Sequence, residues 1–330
     1  MKEPKALIGV IISIVCLVVV FHGIEWSAVG EALGRTRLLL LLPAMGFLAL
    51  MFLLRAYRWR RLVAPIAVLP LKPFWSASLI GFMANDVLPL RVGELVRAYA
   101  LAHLTSVRVS TAFTTAVLER VWDTVSVGII TVLTLSRFSL PTWVARTNWA
   151  VLGLSVIALG GGTWLARRGV HGIAWLPARF TVLAEHFISG LRSLNSVSAL
   201  VRVFLLSFAV WGALVGYYWV LLYACGFSLP LEAALLVTVF TVLAAAVPAA
   251  PGFVGTFQYA VVLALSFFSV SKAEALGFSI IAHVAQLAPV IVAGFIALVR
   301  ARLPLWPSRL LRASDENSSQ ANERLRAEES

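Results

Sequence analysis

The chain has 330 residues, 60% of them hydrophobic and 13% charged, with a net charge of +12 and a mean hydropathy of +0.92. This excludes a soluble domain, because several apolar runs are long enough to cross a hydrocarbon core of about 30 Å at about 1.5 Å per residue. The runs are far too long for the short alternating strands of an outer-membrane barrel. The basic residues sit at run ends, where they read as orientation signals and anchors for anionic lipid rather than as a nucleic-acid surface.

In chain order, residues 6–21 follow Lys2 and Lys5 as a first span. No small-x-small cleavage site follows cleanly, so an uncleaved anchor is expected. Residues 38–54 form a second span, and Arg55, Arg58, Arg60, Arg61 and Lys72 then make a basic loop. Residues 74–84 are too few to span. They lead into Asn85-Asp86-Val87-Leu88-Pro89-Leu90-Arg91-Val92-Gly93-Glu94-Leu95-Val96-Arg97 and return through 99–104, as in a re-entrant hairpin. Backbone that leaves the helix at membrane depth must be buried in protein or line a wet cavity, and charges there are functional-site candidates.

Spans are expected at 109–136 and 149–165, followed by a polar stretch to Arg202. In that stretch Phe180, Leu183, Phe187, Leu191 and Leu194 fall at helical spacing. They fit a helix lying at the membrane surface or an ordinary cytoplasmic helix. Residues 203–223 span again. Residues 231–247 run into Pro248-Ala249-Ala250-Pro251-Gly252-Phe253-Val254-Gly255 and 256–268 leave it, giving a second candidate hairpin at about 231–268, the counterpart of the first at about 74–104. A last span covers 275–299, and residues 313–330 are a polar tail expected to be disordered, so residues 1–312 read as one integral membrane domain.

The fold class is therefore an all-α polytopic membrane protein with about six full spans and two re-entrant helical hairpins. With that topology, 19 of the 27 Lys and Arg lie on the side of the N-terminus and five on the other. The positive-inside rule then puts both termini in the cytoplasm of a cell's inner membrane. Each hairpin is flanked by one span on each side, and the two units are oppositely oriented, as in an inverted repeat. Broken segments in matching halves point to a transporter-like site.

Several side chains carry candidate chemistry. Glu94 and Arg97 share a face at i and i+3. Together with Arg91 and the N–H groups opening that helix, Arg97 suits a lipid phosphate that would displace Glu94. A solvated cytoplasmic loop is the plainer reading of the same residues. Glu119, Arg120 and Asp123 lie near mid-bilayer, with Glu119 and Asp123 on one face. Those carboxylates fit proton or cation coupling, or an ion-pair lock to Arg91 or Arg97. Gly93 and Gly252 mark close approach of backbone or substrate. His283 and Gln286, at i and i+3 in the last span, suit hydrogen bonding within the bundle. The five His show no metal spacing, Cys16 and Cys225 show no disulfide or zinc pattern, and no cofactor motif is present, so neither metal nor cofactor is expected.

The motifs Arg55-x-x-Arg58-Trp59, Asn85-x-x-Leu88-Pro89-x-x-x-Gly93-Glu94-x-x-Arg97, Glu119-Arg120-x-x-Asp123 and Pro248-x-x-Pro251-Gly252-x-x-Gly255 occur in this order over about 200 residues. Together they resemble the membrane region of lysylphosphatidylglycerol synthases, the flippase-like family UPF0104. The resemblance implies movement of modified or glycan-linked phospholipids between leaflets, without naming the lipid. Two departures stand out: where the family usually has a second Gly and a Glu in the last motif, this chain has Phe253 and Gln258. After Val299 only about 30 residues remain, so the soluble aminoacyl-transferase domain of the full-length synthases is not expected.

The function expected is a flippase-like transporter, not an enzyme. Its partners would be anionic membrane lipids and a lipid-modifying enzyme, with no nucleic acid. The alternatives are an integral-membrane transferase using Glu94, Glu119 or Asp123 as general base, and an accessory subunit of an envelope-lipid pathway.

Overall fold

A computed structural model describes residues 4–88, 92–135, 138, 142–168 and 197–303. Among these residues there are eleven α-helices and no strand. They are α1 (Pro4–Phe21), α2 (Trp26–Gly34), α3 (Leu41–Val63), α4 (Leu71–Val87), α5 (Gly93–Leu104), α6 (Val109–Leu135), α7 (Thr142–Arg168), α8 (Val197–Ala224), α9 (Leu231–Ala246), α10 (Thr256–Ser266) and α11 (Lys272–Arg300).

Three helical segments are long and apolar enough to cross a membrane: Leu38–Val63, which includes a short 3-10 turn before α3, Val197–Ala224 and Lys272–Arg300. Ile8–Phe21 and Trp26–Gly34 form a fourth candidate only as a pair, bent by 91° at residues 22–25. The sequence reading assigned nothing to α2. Its short run Trp26-Ser27-Ala28-Val29-Gly30-Glu31-Ala32 buries only Val29 and Ala32, too little for a periodic signal. Helices α6 and α7 have 27 residues each, about 40 Å at 1.5 Å per residue, so length does not bar them from spanning.

One boundary needs correction. Arg55 and Arg58 are not in a basic loop: α3 continues to Val63, and both arginines are buried in its last turns. The buried positions Ala44, Leu48, Met51, Phe52, Arg55, Trp59 and Leu62 keep one helical stripe facing inward. Arg60 and Arg61 lie on the other side of that helix end. The amphipathic stretch 180–194 and the tail 313–330 lie outside the described residues.

The order α3, α4, α5, α6 recurs as α8, α9, α10, α11, with lengths of 23, 17, 12 and 27 residues against 28, 16, 11 and 29. Packing is reciprocal as well: α3 lies along α8, α4 packs on α11, and α9 packs on α6. Each short pair is entered the same way. Leu69-Pro70-Leu71 recurs as Leu229-Pro230-Leu231, with φ, ψ of −65°, 162° at Pro70 and −67°, 166° at Pro230. Proline fixes that φ and has no N–H to leave unsatisfied, so it delimits the helix that follows.

The largest apolar core lies between α3, α8, α9, α10 and α11, and a second one joins α3, α4, α5 and α11. Bare backbone lets the elements approach closely. A Cβ at Gly294 of α11 would sit 2.6 Å from the Leu79 carbonyl of α4, and one at Gly216 of α8 would sit 2.7 Å from the Phe47 ring of α3. Outside, α1 leaves Ile8, Ile11, Ile14, Val15 and Val18 exposed, as suits a lipid-facing helix.

Candidate functional site

The first helical pair closes on itself through glycine and asparagine. A Cβ on Gly93 would lie 2.2 Å from the Gly81 carbonyl, and one on Gly81 would lie 2.5 Å from the Arg97 Cβ. Asn85 near the end of α4 accepts a hydrogen bond from the Gly93 N–H at 2.8 Å. Part of the free N–H set expected at the start of α5 is therefore already occupied, and Gly93 is a packing glycine. Pro89 and Arg91 lie outside the described residues.

Turning α5 against α6 and α3 assembles a cluster of seven charged side chains. Arg97 reaches Glu94 at 2.7 Å and Glu119 at 2.6 Å. Arg58 reaches Glu119 at 3.2 Å and Asp123 at 2.8 Å. Arg55 pairs with Asp123 at 2.9 Å, and Arg120 joins Asp123 at 3.2 Å to Glu94 at 2.7 Å. Each carboxylate thus meets at least two guanidinium groups. The planar fork of Arg suits such shared recognition, which Lys would not reproduce.

Neutral groups complete the cluster. Arg58 donates to Ser207 Oγ at 2.8 Å, and Trp211 Nε1 donates to Asp123 Oδ1 at 3.2 Å, both from α8. Arg97 also donates to the Ala116 carbonyl at 3.2 Å and lies 4.6 Å from the centre of the Trp59 ring, whose Nε1 donates to Thr115 at 3.0 Å. Arg55 lies between the rings of Phe82 and Trp211, at 5.4 and 5.2 Å. Cation–π contact matters most where water is excluded.

Of the sequence candidates, Asn85, Gly93, Glu94, Arg97, Glu119, Arg120 and Asp123 come together here. The ion-pair lock to Arg97 is present at Glu119. Asp123 is held instead by Arg55, Arg58 and Arg120. Sequence reasoning missed Arg55, Arg58, Ser207 and Trp211 as members of the cluster. The signal for the first two was available: they continue the inward stripe of α3 by i+3 and i+4 steps.

The second tip contains no charge. Pro248 is exposed, Pro251 opens a 3-10 turn, and Gly252 and Gly255 have φ of 69° and 91°. Phe253 takes φ 57°, so the turn has a glycine-like conformation there at a cost of about 1–2 kcal/mol. Gln258 takes over local work: its Oε1 accepts from the Gly255 N–H at 2.7 Å, and its Nε2 lies 2.9 Å from His283 Nδ1. Because the amide oxygen is already accepting, Nε2 donates and His283 Nδ1 accepts. The His283 ring stacks on Phe257 at 4.5 Å, and Gln286 accepts from Tyr218 at 3.1 Å.

Helix α1 braces this tip. Ser13 Oγ accepts from the Ala250 N–H at 2.8 Å, and a Cβ at Gly255 would lie 2.4 Å from the Ser13 carbonyl. The two tips also meet. Helix α4 packs on the turn Pro251–Phe253, and the Asp86 carbonyl lies 3.7 Å from where a Gly252 Cβ would stand.

Among known proteins, no curated sequence matches this chain. The family described as lysylphosphatidylglycerol synthase TM region matches residues 6–294, from the first turns of α1 to the last turns of α11. That match takes in both tips and every member of the charged cluster. The chain belongs to the family of the lysylphosphatidylglycerol synthase transmembrane region.

Proposed function

We propose that the protein is a flippase-like transporter that moves a phospholipid, or a lipid-linked glycan or aminoacyl lipid, between the leaflets of an inner membrane. The observation that carries this reading is the charged cluster's imbalance and its one open edge. Four arginines face three carboxylates, leaving one positive charge in excess. Arg58 and Glu119 are sealed, whereas Arg120 and Glu94 are 38% and 25% exposed. A phosphate arriving at that edge would take Arg97 and Arg120 from Glu94 and balance the excess, while the acyl tails remain in lipid. The polar cluster beside a paired, repeated tip is the arrangement expected of a transporter.

In this reading six spans and two re-entrant hairpins form an inverted repeat, with both termini in the cytoplasm. Cysteines at Lys72 and Arg167 are then labelled only from the cytoplasmic side, and cysteines at Arg146 and Lys272 only from outside. Labelling of the Arg167 position from outside would remove the inverted repeat. Lys272 also donates to the Val19 and His22 carbonyls, both at 2.7 Å, so its replacement needs a folding control.

The transferase alternative requires a carboxylate to take a substrate proton. Glu94, Glu119 and Asp123 each lie within ion-pair distance of at least two guanidinium groups, which compete with a substrate hydroxyl for the same oxygens and so support transport over general-base chemistry. The anionic lipid is then the immediate partner, and a lipid-modifying enzyme would supply or consume it. The test is exchange of labelled anionic and zwitterionic phospholipids in proteoliposomes, with product analysis. Glu94→Gln and Arg120→Gln should slow exchange of the anionic lipid about tenfold, the equivalent of about 1.4 kcal/mol. Exchange by both variants at the wild-type rate would exclude this edge as the head-group site. A covalently altered lipid would establish the transferase.

A further inference from the structure

Four carboxylates lie on α4, α5 and α6: Asp86, Glu94, Glu119 and Asp123. Three are held by arginines. Asp86 is different. No ion pair or hydrogen bond joins its side chain to any other described residue, although it is partly buried in the last turn of α4. That is the negative end of the helix dipole, the wrong end for an anion. The nearby N-terminus of α5, which would suit a carboxylate, is capped by the neutral Asn85 instead.

Asp86 also stands where the two tips meet, its carbonyl facing Gly252. Several titratable groups on the elements packed against α4 are already committed. Arg55 and Arg58 of α3 and Glu94 and Arg97 of α5 belong to the cluster, and His283 of α11 is bound to Gln258. The turn Pro251–Phe253 has no titratable side chain. A partly buried carboxylate with no partner among the described residues is expected to acquire a positive partner or lose its charge. Its two oxygens are too few for Ca2+ or Mg2+, which take six or more oxygen ligands, but suffice for a proton.

We propose that Asp86 is the proton-binding residue of the transport cycle, loading and releasing a proton as the tips close and part. This rests on the flippase reading and adds its coupling ion. No bond other than O–H changes: one proton is taken from water on one side and returned to water on the other.

The test pairs a direct and a functional readout on wild type and Asp86→Asn in lipid bilayers. Infrared difference spectra across the stable pH range should show the C=O stretch of a neutral carboxyl in wild type, and this band should be missing in Asp86→Asn. In proteoliposomes, a pH gradient should drive unequal leaflet distribution of labelled phosphatidylglycerol by wild type. Asp86→Asn should exchange that lipid without responding to the gradient. Identical carboxyl bands in the two proteins, or an unchanged gradient response in Asp86→Asn, would overturn the assignment. If wild type exchanged no phospholipid while keeping the Asp86 band, the flippase reading would fall and the coupling role with it, leaving a protonated carboxyl alone.

Discussion

Arg58→Leu is expected to destabilise the folded protein by about 3–5 kcal/mol, the largest stability effect of any single change in the cluster. Arg58 is fully buried and touches both Glu119 and Asp123 as well as Ser207. Removing it takes one guanidinium from each of two buried carboxylates, leaving Arg97 on Glu119 and Arg55 and Arg120 on Asp123, and leaves a hydroxyl without its donor. Truncating one partner of a buried pair costs far more than the pair contributes, because the other ion stays desolvated. Arg61→Leu, three residues further along the same helix, should change stability by no more than about 0.5 kcal/mol. Its guanidinium is exposed, and among the described residues it contacts Tyr57 of its own helix. Thermal unfolding of detergent-solubilised protein, followed by size-exclusion chromatography, reads both. Equal melting of the two variants would mean that the cluster does not hold α3, α6 and α8 together.

That contrast also shows how far the sequence could be read. Arg55, Arg58, Arg60 and Arg61 look alike in a hydropathy profile, where four arginines within seven residues end a span. Only the phase of the helix separates them, and the phase was set upstream by Leu48, Met51 and Phe52. The short helices around Pro89-x-x-x-Gly93 and Pro251-Gly252 were legible because Pro and Gly interrupt apolar runs too short to span. Glu119 and Asp123 were legible as a shared face, because i and i+4 spacing is local. Their partners were not, since Arg55 is 68 residues from Asp123 and Arg58 is 149 from Ser207. Pairing at that distance is decided by packing. The repeated Leu-Pro-Leu at 69–71 and 229–231 was a stronger mark of the internal repeat than Pro-x-x-x-Gly. It fixes the entrance of each hairpin rather than its variable tip.

The two tip glycines should separate packing from passage. Gly93→Ala is expected to fail in folding, because its Cβ would be driven to 2.2 Å from the Gly81 carbonyl and 2.4 Å from the Asn85 side chain. Backbone cannot yield there without parting α4 from α5, at a cost of about 1–3 kcal/mol or more. Gly252 is buried but less tightly held: a Cβ there would be in ordinary van der Waals contact with the Asp86 carbonyl and a Leu287 methyl, both at 3.7 Å. A Cβ there costs mainly the φ of 69°, about 1–2 kcal/mol, and the rest of a leucine would press on the contact with Asp86. Gly252→Leu should therefore leave a protein that inserts and melts only slightly earlier. If the tips part and rejoin in each cycle, that leucine wedges the contact with Asp86, and phospholipid exchange should fall by at least about tenfold, equivalent to about 1.4 kcal/mol at the barrier. A transferase working from one leaflet has no need of that motion, so it should keep converting its lipid in the Gly252→Leu protein. Exchange at the wild-type rate by a folded Gly252→Leu protein would dissociate the tip contact from transport, and continued formation of a modified lipid would replace the flippase with an enzyme.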